Sequence, residues 1–238
     1  MIDDRSIAVV IPAYDEAPRI AATLRSVPAY VDRILVVDDG SADGTADVAR
    51  AVPDDRVSVL TLAHNRGVGA AIAHGYVACL EEQVDVAVVI GGDGQMHPGD
   101  MLALVRTVLD GRADYAKGNR LLRGEGWRSM PLARLVGTLV LSVGTMLATG
   151  YYGSFDSQCG YTAISGSALA RLPLERLFPR YGYPNDLLVL LSRIRATVRD
   201  VPVRILYGPG TSKMKVRRVI LPLMSILGRG VVGRVGLR

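Results

Sequence analysis

An α/β fold with a mainly parallel central sheet is predicted by three observations. Short apolar runs recur through the first half, at Ile7 to Ile11, Arg33 to Val37, Val57 to Leu62 and Val86 to Ile90. Each is bounded by turn residues, and segments of helical period lie between them. Strand, helix, strand order of this kind makes parallel pairs with right-handed crossovers. A chain of 238 residues, 49% of them hydrophobic, can bury one sizeable core, and no low-complexity linker or internal repeat divides it.

The first strand runs into PAYDE, Pro12 to Glu16. A helix follows, with Ile20, Leu24 and Val27 on one face and Pro18 tolerated in its first turn. Tyr14 offers a flat ring for stacking on a base, and Glu16 a carboxylate for base or ribose donors. The second strand exits into VVDDGSADGT, where Gly40 and Ser41 turn the chain and Asp43 can cap a helix beginning near Thr45. Acids beyond the carboxyl ends of parallel strands face a ligand crevice, so Asp38 and Asp39 are expected to turn there. An ordinary acidic turn with a helix cap accounts for the same residues.

After the third strand an Ala-rich helix spans Gly69 to Leu80, and after the fourth comes GGDGQMHP. There Asp93 and Gln95 can hold a hard divalent cation through oxygen while a diphosphate completes the shell. A Gly-bracketed turn acid is the plainer reading of Asp93 taken alone. Met101, Leu104, Val105 and Val108 then mark a third helical face.

The second half is marked by apolar stretches. Leu135 to Phe155 holds 21 residues without a charge, long enough for a membrane span, but four glycines and several Ser and Thr dilute it. An amphipathic helix near the site or at a membrane interface is the preferred expectation. Asp186 precedes the apolar helix Leu187 to Ile194 and is the first candidate for a general base, against the plainer role of a helix-start acid. Asp156 is the second candidate, and Gln158 could orient an acceptor.

Charge is unevenly distributed. Residues 211 to 238 carry seven Lys and Arg and no acid, against a net charge of +5 for the whole chain. Apolar residues Val219 to Leu227 lie among these cations, a pattern suited to an anionic membrane surface. The tail has no aromatic residue for base stacking, so nucleic acid is not expected. The organisation expected is a catalytic domain over 1–210 and a basic, apolar tail over 211–238. No secretory signal is expected, and Cys79 and Cys159 have no zinc-like spacing. Neither GxGxxG nor GxxxxGK[ST] follows a strand, which argues against dinucleotide and nucleoside triphosphate enzymes.

Together PAYDE, VVDDGSADGT, NRGVGAAIAHG and GGDGQMHP resemble the inverting family 2 glycosyltransferases, most closely the polyprenyl-phosphate (dolichyl-phosphate) mannose synthase branch. KGNRL (117–121), FDSQCGYTA (155–163), YGYPND (181–186) and the pair Ser212, Lys213 continue the match. The resemblance implies a single nucleotide-sugar-binding domain of GT-A type. It implies Pro12, Tyr14, Glu16, Val37 and Asp39 for the nucleoside, and Asp93 and Gln95 for metal and diphosphate. It also implies Arg120 and Lys213 as cations against the diphosphate or the acceptor phosphate. The family usually carries Asp-x-Asp where this chain has Gly91, Gly92, Asp93, so Mg2+ or Mn2+ is expected to bind weakly without the nucleotide.

The function implied is transfer of a hexose, mannose from GDP-mannose first, to polyprenyl phosphate by a cytoplasmic enzyme peripheral to the inner membrane face, with a membrane partner protein conceivable. A UDP- or GDP-sugar transferase acting on a hydroxyl, with Asp186 as base, is the alternative. A silent sugar-nucleotide-binding or adaptor protein is a third reading, motivated by Gly91.

Overall fold

The computed structural model describes residues 1–122, 132–204 and 217–235. The element order is β1 (Ile7–Ala13), α1 (Ala17–Ser26), β2 (Arg33–Asp38), α2 (Thr45–Arg50), β3 (Val57–Thr61), α3 (Val68–Glu81), β4 (Val86–Val89), α4 (Met101–Leu109) and β5 (Tyr115–Asn119). There follow α5 (Leu132–Thr149), β6 (Thr162–Ser165), the single turn α6 (Gly166–Leu169), α7 (Tyr183–Arg193), β7 (Val198–Pro202) and α8 (Arg217–Val235).

Seven strands form one sheet in the order β3-β2-β1-β4-β6-β5-β7. The pairs β1–β2, β2–β3, β1–β4 and β5–β7 are parallel, while β6 runs antiparallel to both neighbours. The predicted α/β class with a mainly parallel sheet is therefore what the chain adopts.

β1 explains why its strand was legible as an unbroken apolar run. Ile7, Val9, Ile11 and Ala13 point into a core shared with Ile20, Leu24, Met101, Leu104 and Val105. Ala8 and Val10 point the other way, into a core with Ile72, Tyr76, Leu187, Leu188 and Leu191. A strand covered by helices on both faces has no solvent side and so no polar alternation.

The described part of the basic tail is a helix docked on the body. α8 packs on α5 and α7, burying Leu223 and Ile226, and Gly144 and Gly230 lie at its close approaches to Leu227 and Ala148. Among the described residues no helix is long and apolar enough to cross a membrane.

Candidate active site

The parallel register brings the first two loops together. Pro12 pairs with Val37 and Ala13 with Asp38, and the Asp39 amide donates to the Ala13 carbonyl at 2.8 Å. Side chains of the second loop then collect the free amides of the first. Asp15 N donates to Ser41 Oγ (3.0 Å), Glu16 N to Thr45 Oγ1 (2.8 Å) and Ala17 N to Asp43 Oδ2 (3.0 Å). Asp43 also accepts from the Thr45 amide at 3.0 Å, so it steadies the start of α2 and of α1 at once. Above this stitched platform Tyr14 is exposed, and Glu16 forms an ion pair with Arg19 at 2.6 Å.

The two adjacent aspartates do not turn out to the crevice as a pair. Both are only 2% exposed, and Asp38 folds back on its own turn to accept from Ser41. Asp39 accepts from the amides of Arg66 (2.8 Å) and Gly67 (2.7 Å), which fixes the start of α3. Val37 is fully buried in the core, so its side chain offers nothing to a ligand.

Gly69 has a reason that the sequence did not disclose. A Cβ there would stand 2.1 Å from the Phe178 carbonyl, and the Ala70 amide donates to the Pro179 carbonyl at 3.0 Å. The 178–183 segment, which carries Tyr181, therefore lies against the head of α3. Burial, together with the charges of Asp93 and Glu16, pushes the Tyr181 phenol above its ordinary range. No single-sequence signal marked it beyond its place in YGYPND.

The third loop leaves β4 and is held by α1, whose Thr23 hydroxyl donates to the Gly92 carbonyl at 3.2 Å. Asp93 is half-buried and its Oδ1 accepts from the Gln95 amide at 3.1 Å. A Cβ on Gly91 would stand 2.9 Å from that same oxygen, so the Asp93 carboxylate occupies the space that a first acid would need. Among the described residues no three His, Cys, Asp or Glu side chains cluster to make a metal site. One carboxylate beside an amide still fits a magnesium ion that arrives with a diphosphate, because magnesium keeps waters and substrate oxygens in its shell.

Arg120 and Asp156 change their meaning in the structure. Expected as an open cation and a candidate base, they instead face one another beneath the loop at 155–158. Arg120 Nε and Nη2 each lie 2.6 Å from Asp156 oxygens, the Arg120 amide donates to Asp156 Oδ2 at 3.0 Å, and both side chains are buried. Burial pushes the Asp156 carboxyl up, but the hydrogen bonds and charge of Arg120, with Lys117 behind, outweigh it and hold it below the ordinary carboxylate range. A carboxylate so bound is a poor proton acceptor.

A second buried pair lies next to it. Lys117 Nζ sits 3.0 Å from Asp200 Oδ1 and donates to the Asp156 carbonyl at 2.9 Å. Asp200 Oδ2 accepts from Asn119 Nδ2 (2.6 Å) and from the Phe155 amide (3.1 Å). Two cations and two anions thus clamp the loop that carries Gln158.

Gln158 donates to Asn185 Oδ1, while Asn185 Nδ2 donates to Thr145 Oγ1 (2.6 Å) and Ser157 Oγ (3.1 Å). Asn185 is the hub that sequence reasoning missed. Its neighbour Asp186 points along a different face of α7, where it accepts from the Phe178 amide (2.8 Å) and Arg229 (3.3 Å). With Arg176, Val189, Leu190, Arg193 and Arg229 it lines a cleft of about 300 Å³. Burial pushes the Asp186 carboxyl above its ordinary range, and Phe178 N and the charges of Arg229 and Arg193 only partly offset it. Lys213 lies outside the described residues.

These loops belong to a known sequence family: the glycosyl transferase family 2 profile matches residues 8–172. The chain is a member of glycosyl transferase family 2. As a family 2 glycosyltransferase it is similar along most of its length to enzymes named for lipid phosphates. It is 30% identical to the UDP-N-acetylglucosamine–dolichyl-phosphate N-acetylglucosaminyltransferase of Methanococcus voltae, over 86% of this chain and 87% of that one. It is 30% identical to the polyprenol monophosphomannose synthase of Mycolicibacterium smegmatis, over 95% and 88%. In fold, this glycosyltransferase resembles glucosyl-3-phosphoglycerate synthase from Mycobacterium tuberculosis, with a TM-score of 0.72 at 22% identity over 94% of this chain and 81% of that one.

Proposed function

We propose that this family 2 glycosyltransferase moves a hexose, mannose from GDP-mannose in the first instance, onto the phosphate of a polyprenyl phosphate. The observation that carries the reading is the state of the two candidate bases. Asp156 is spent on Arg120, and Asp186 is turned to Phe178 and Arg229 while Asn185 takes the place beside Gln158. A hydroxyl acceptor needs a base within hydrogen-bond reach, whereas an ionised phosphate oxygen does not. Relatives named for dolichyl, polyprenol and undecaprenyl phosphates support the same acceptor class.

In this reading Tyr14 stacks on the base and Glu16 receives donors of the base or ribose, while Asp39 is a positioning residue that fixes the start of α3 through the Arg66 and Gly67 amides. Asp93 and Gln95 hold Mg2+ or Mn2+ together with the diphosphate, which when bound neutralises charge on the leaving group. The acceptor phosphate oxygen attacks the anomeric carbon from the far side as the bond to the diphosphate oxygen breaks, which inverts the centre. Gln158 orients the acceptor. Arg120 is a positioning residue, holding the 155–158 loop through Asp156, and Lys213 is the proposed cation against the diphosphate or the acceptor phosphate.

Calorimetric titration with GDP, UDP and their mannose, glucose and N-acetylglucosamine conjugates, with and without metal, tests the donor. Metal-enhanced preference for GDP is the expected result. Preference for UDP would replace mannose while keeping the acceptor, absence of binding by every nucleotide would overturn the reading, and binding without turnover for every donor and acceptor would leave the silent sugar-nucleotide-binding protein.

Asp186→Asn tests the acceptor. Asn keeps an oxygen for the Phe178 amide, so transfer to polyprenyl phosphate is expected to stay within about threefold of native, where loss of a general base costs about a hundredfold or more. A loss of that size in a folded variant would return Asp186 to the role of base for a hydroxyl.

A further inference from the structure

The face of α7 turned away from Asn185 and Gln158 is one wall of the cleft that sugar transfer leaves unused. Asp186, Val189, Leu190 and Arg193 recur there at the i, i+3, i+4, i+7 spacing and so make a single stripe along the helix. α8 supplies the opposite wall. Gly230 lets it close on α7, a Cβ there standing 3.0 Å from Val189 Cγ2, and Gly233 leaves room for the Arg193 guanidinium, whose Nη2 lies 3.5 Å from where a Cβ would be. Arg229 sits one turn before Gly233, and Arg176 enters from the short turn Leu174–Arg176. The cleft of about 300 Å³ is at the small end of the range for small-molecule sites.

Charge in this cleft is one-sided, with three guanidinium groups and a single carboxylate. Asp186 gives one oxygen to the Phe178 amide and the other to Arg229 at 3.3 Å, so it answers one arginine at most. Arg176 has Glu175 at 3.6 Å, with side chains 71% and 73% exposed, a pair that water leaves nearly without value. Among the described residues Arg193 makes no ion pair. Two forked cations therefore stand over an apolar floor of Val189 and Leu190 with no anion between them.

We infer that the cleft between α7 and α8 binds a small soluble phosphomonoester, its phosphate held by Arg176 and Arg193 and its body resting on Val189 and Leu190. A phosphomonoester brings about −1.5 to −2 charges and three acceptor oxygens at neutral pH, enough to engage two guanidinium forks at once. A carboxylate brings one charge and two oxygens, which a single fork satisfies. The site is independent of the transfer reading: none of the residues that line it belongs to the PAYDE, Asp39 or Asp93 loops, and Asn185 and Gln158 meet on another face of α7.

The full chain is titrated calorimetrically with glucose 6-phosphate, glycerol 3-phosphate and inorganic phosphate, in excess GDP and UDP so that the donor site is already filled. Saturable binding of the phosphates is expected, and none of glucose. Arg176→Gln with Arg193→Gln changes two exposed side chains and is expected to weaken glucose 6-phosphate at least about tenfold, because hydrogen bonds between charged groups are the strong ones. GDP and UDP affinities of that variant should be native. Arg50→Gln with Arg112→Gln removes the same charge from exposed positions elsewhere and is expected to leave binding within about threefold, which separates a site from general attraction to a basic protein. Dihexanoyl phosphatidic acid carries a phosphomonoester on a lipid and is expected to bind no more tightly than glycerol 3-phosphate. Glucose 6-phosphate binding that survives the cleft variant, or that falls equally in the surface control, would overturn the inference. So would native protein that binds no phosphate, and a preference for the lipid phosphate would overturn the soluble ligand.

Discussion

Asp93→Asn is expected to lower sugar transfer about a thousandfold, close to 4 kcal/mol of lost transition-state stabilisation. The fold should survive, because Asp93 is half-buried and an Asn oxygen can still accept from the Gln95 amide. What Asn removes is the one acid of the third loop, and with it the charge that holds a divalent cation against the leaving diphosphate. Nucleotide affinity measured in chelator should therefore stay native, while the metal-dependent increment disappears. Gly91→Asp is the complementary change. A side chain at 91 starts 2.9 Å from Asp93 Oδ1, so the two carboxylates must rearrange around one another. Without metal they repel, and the variant should be less stable than native in chelator; with Mg2+ or Mn2+ it should regain that stability and bind the ion at least about tenfold more tightly in the absence of nucleotide. Transfer by Asp93→Asn within about threefold of native would show that the chain handles the diphosphate without this loop.

The contrast between Asp93 and the other candidate acids explains what was legible. Three of the four strands of the first half, β1, β2 and β4, are apolar runs buried on both faces, and turn residues follow them, so the strands and the loops at their exits were readable. The second half of the sheet was not. β5 reads YAKGN, and a lysine in the middle of a strand suggests solvent unless its partner is known; the partner, Asp200, lies 83 residues away on β7. β6 has four residues, too few for a period to declare itself. The surroundings of the acids were hidden for the same reason. The partners of Asp156 and Asp186 are 36 and 43 residues distant, and Asp38 and Asp39 are consumed by backbone amides that no pattern announces. Local chemistry says that a carboxylate stands at a strand end or helix start, but only the fold says which hydrogen-bond donors reach it.

The largest effect on stability is expected from Asp156→Asn. Asn is nearly isosteric, so the loop at 155–158 can keep its shape, but the Arg120 guanidinium, with a side chain only 7% exposed, loses the anion that faces it at 2.6 Å from two nitrogens. Breaking a buried pair from one side costs about 3–5 kcal/mol, a large part of the stability of an ordinary domain. Arg120→Met combined with Asp156→Leu should be closer to native than either single change, because no charge is then stranded. The pH dependence carries the same signature. The folded Asp156 carboxyl titrates below its unfolded range, so its contribution is present above the unfolded carboxylate pKa and lost as pH falls through the folded one. Asp186 has the opposite sign: its folded carboxyl titrates above the unfolded range, so ionising it as pH rises costs stability. Urea melts across the acid limb should then show native protein losing stability on acidification, and the Asp156→Asn variant losing less of what remains to it. An Asp156→Asn protein with native stability at neutral pH and a native acid limb would mean that Arg120 is held by something other than this carboxylate. The clamp on the 155–158 loop would then have to be sought in Lys117 and Asp200 alone.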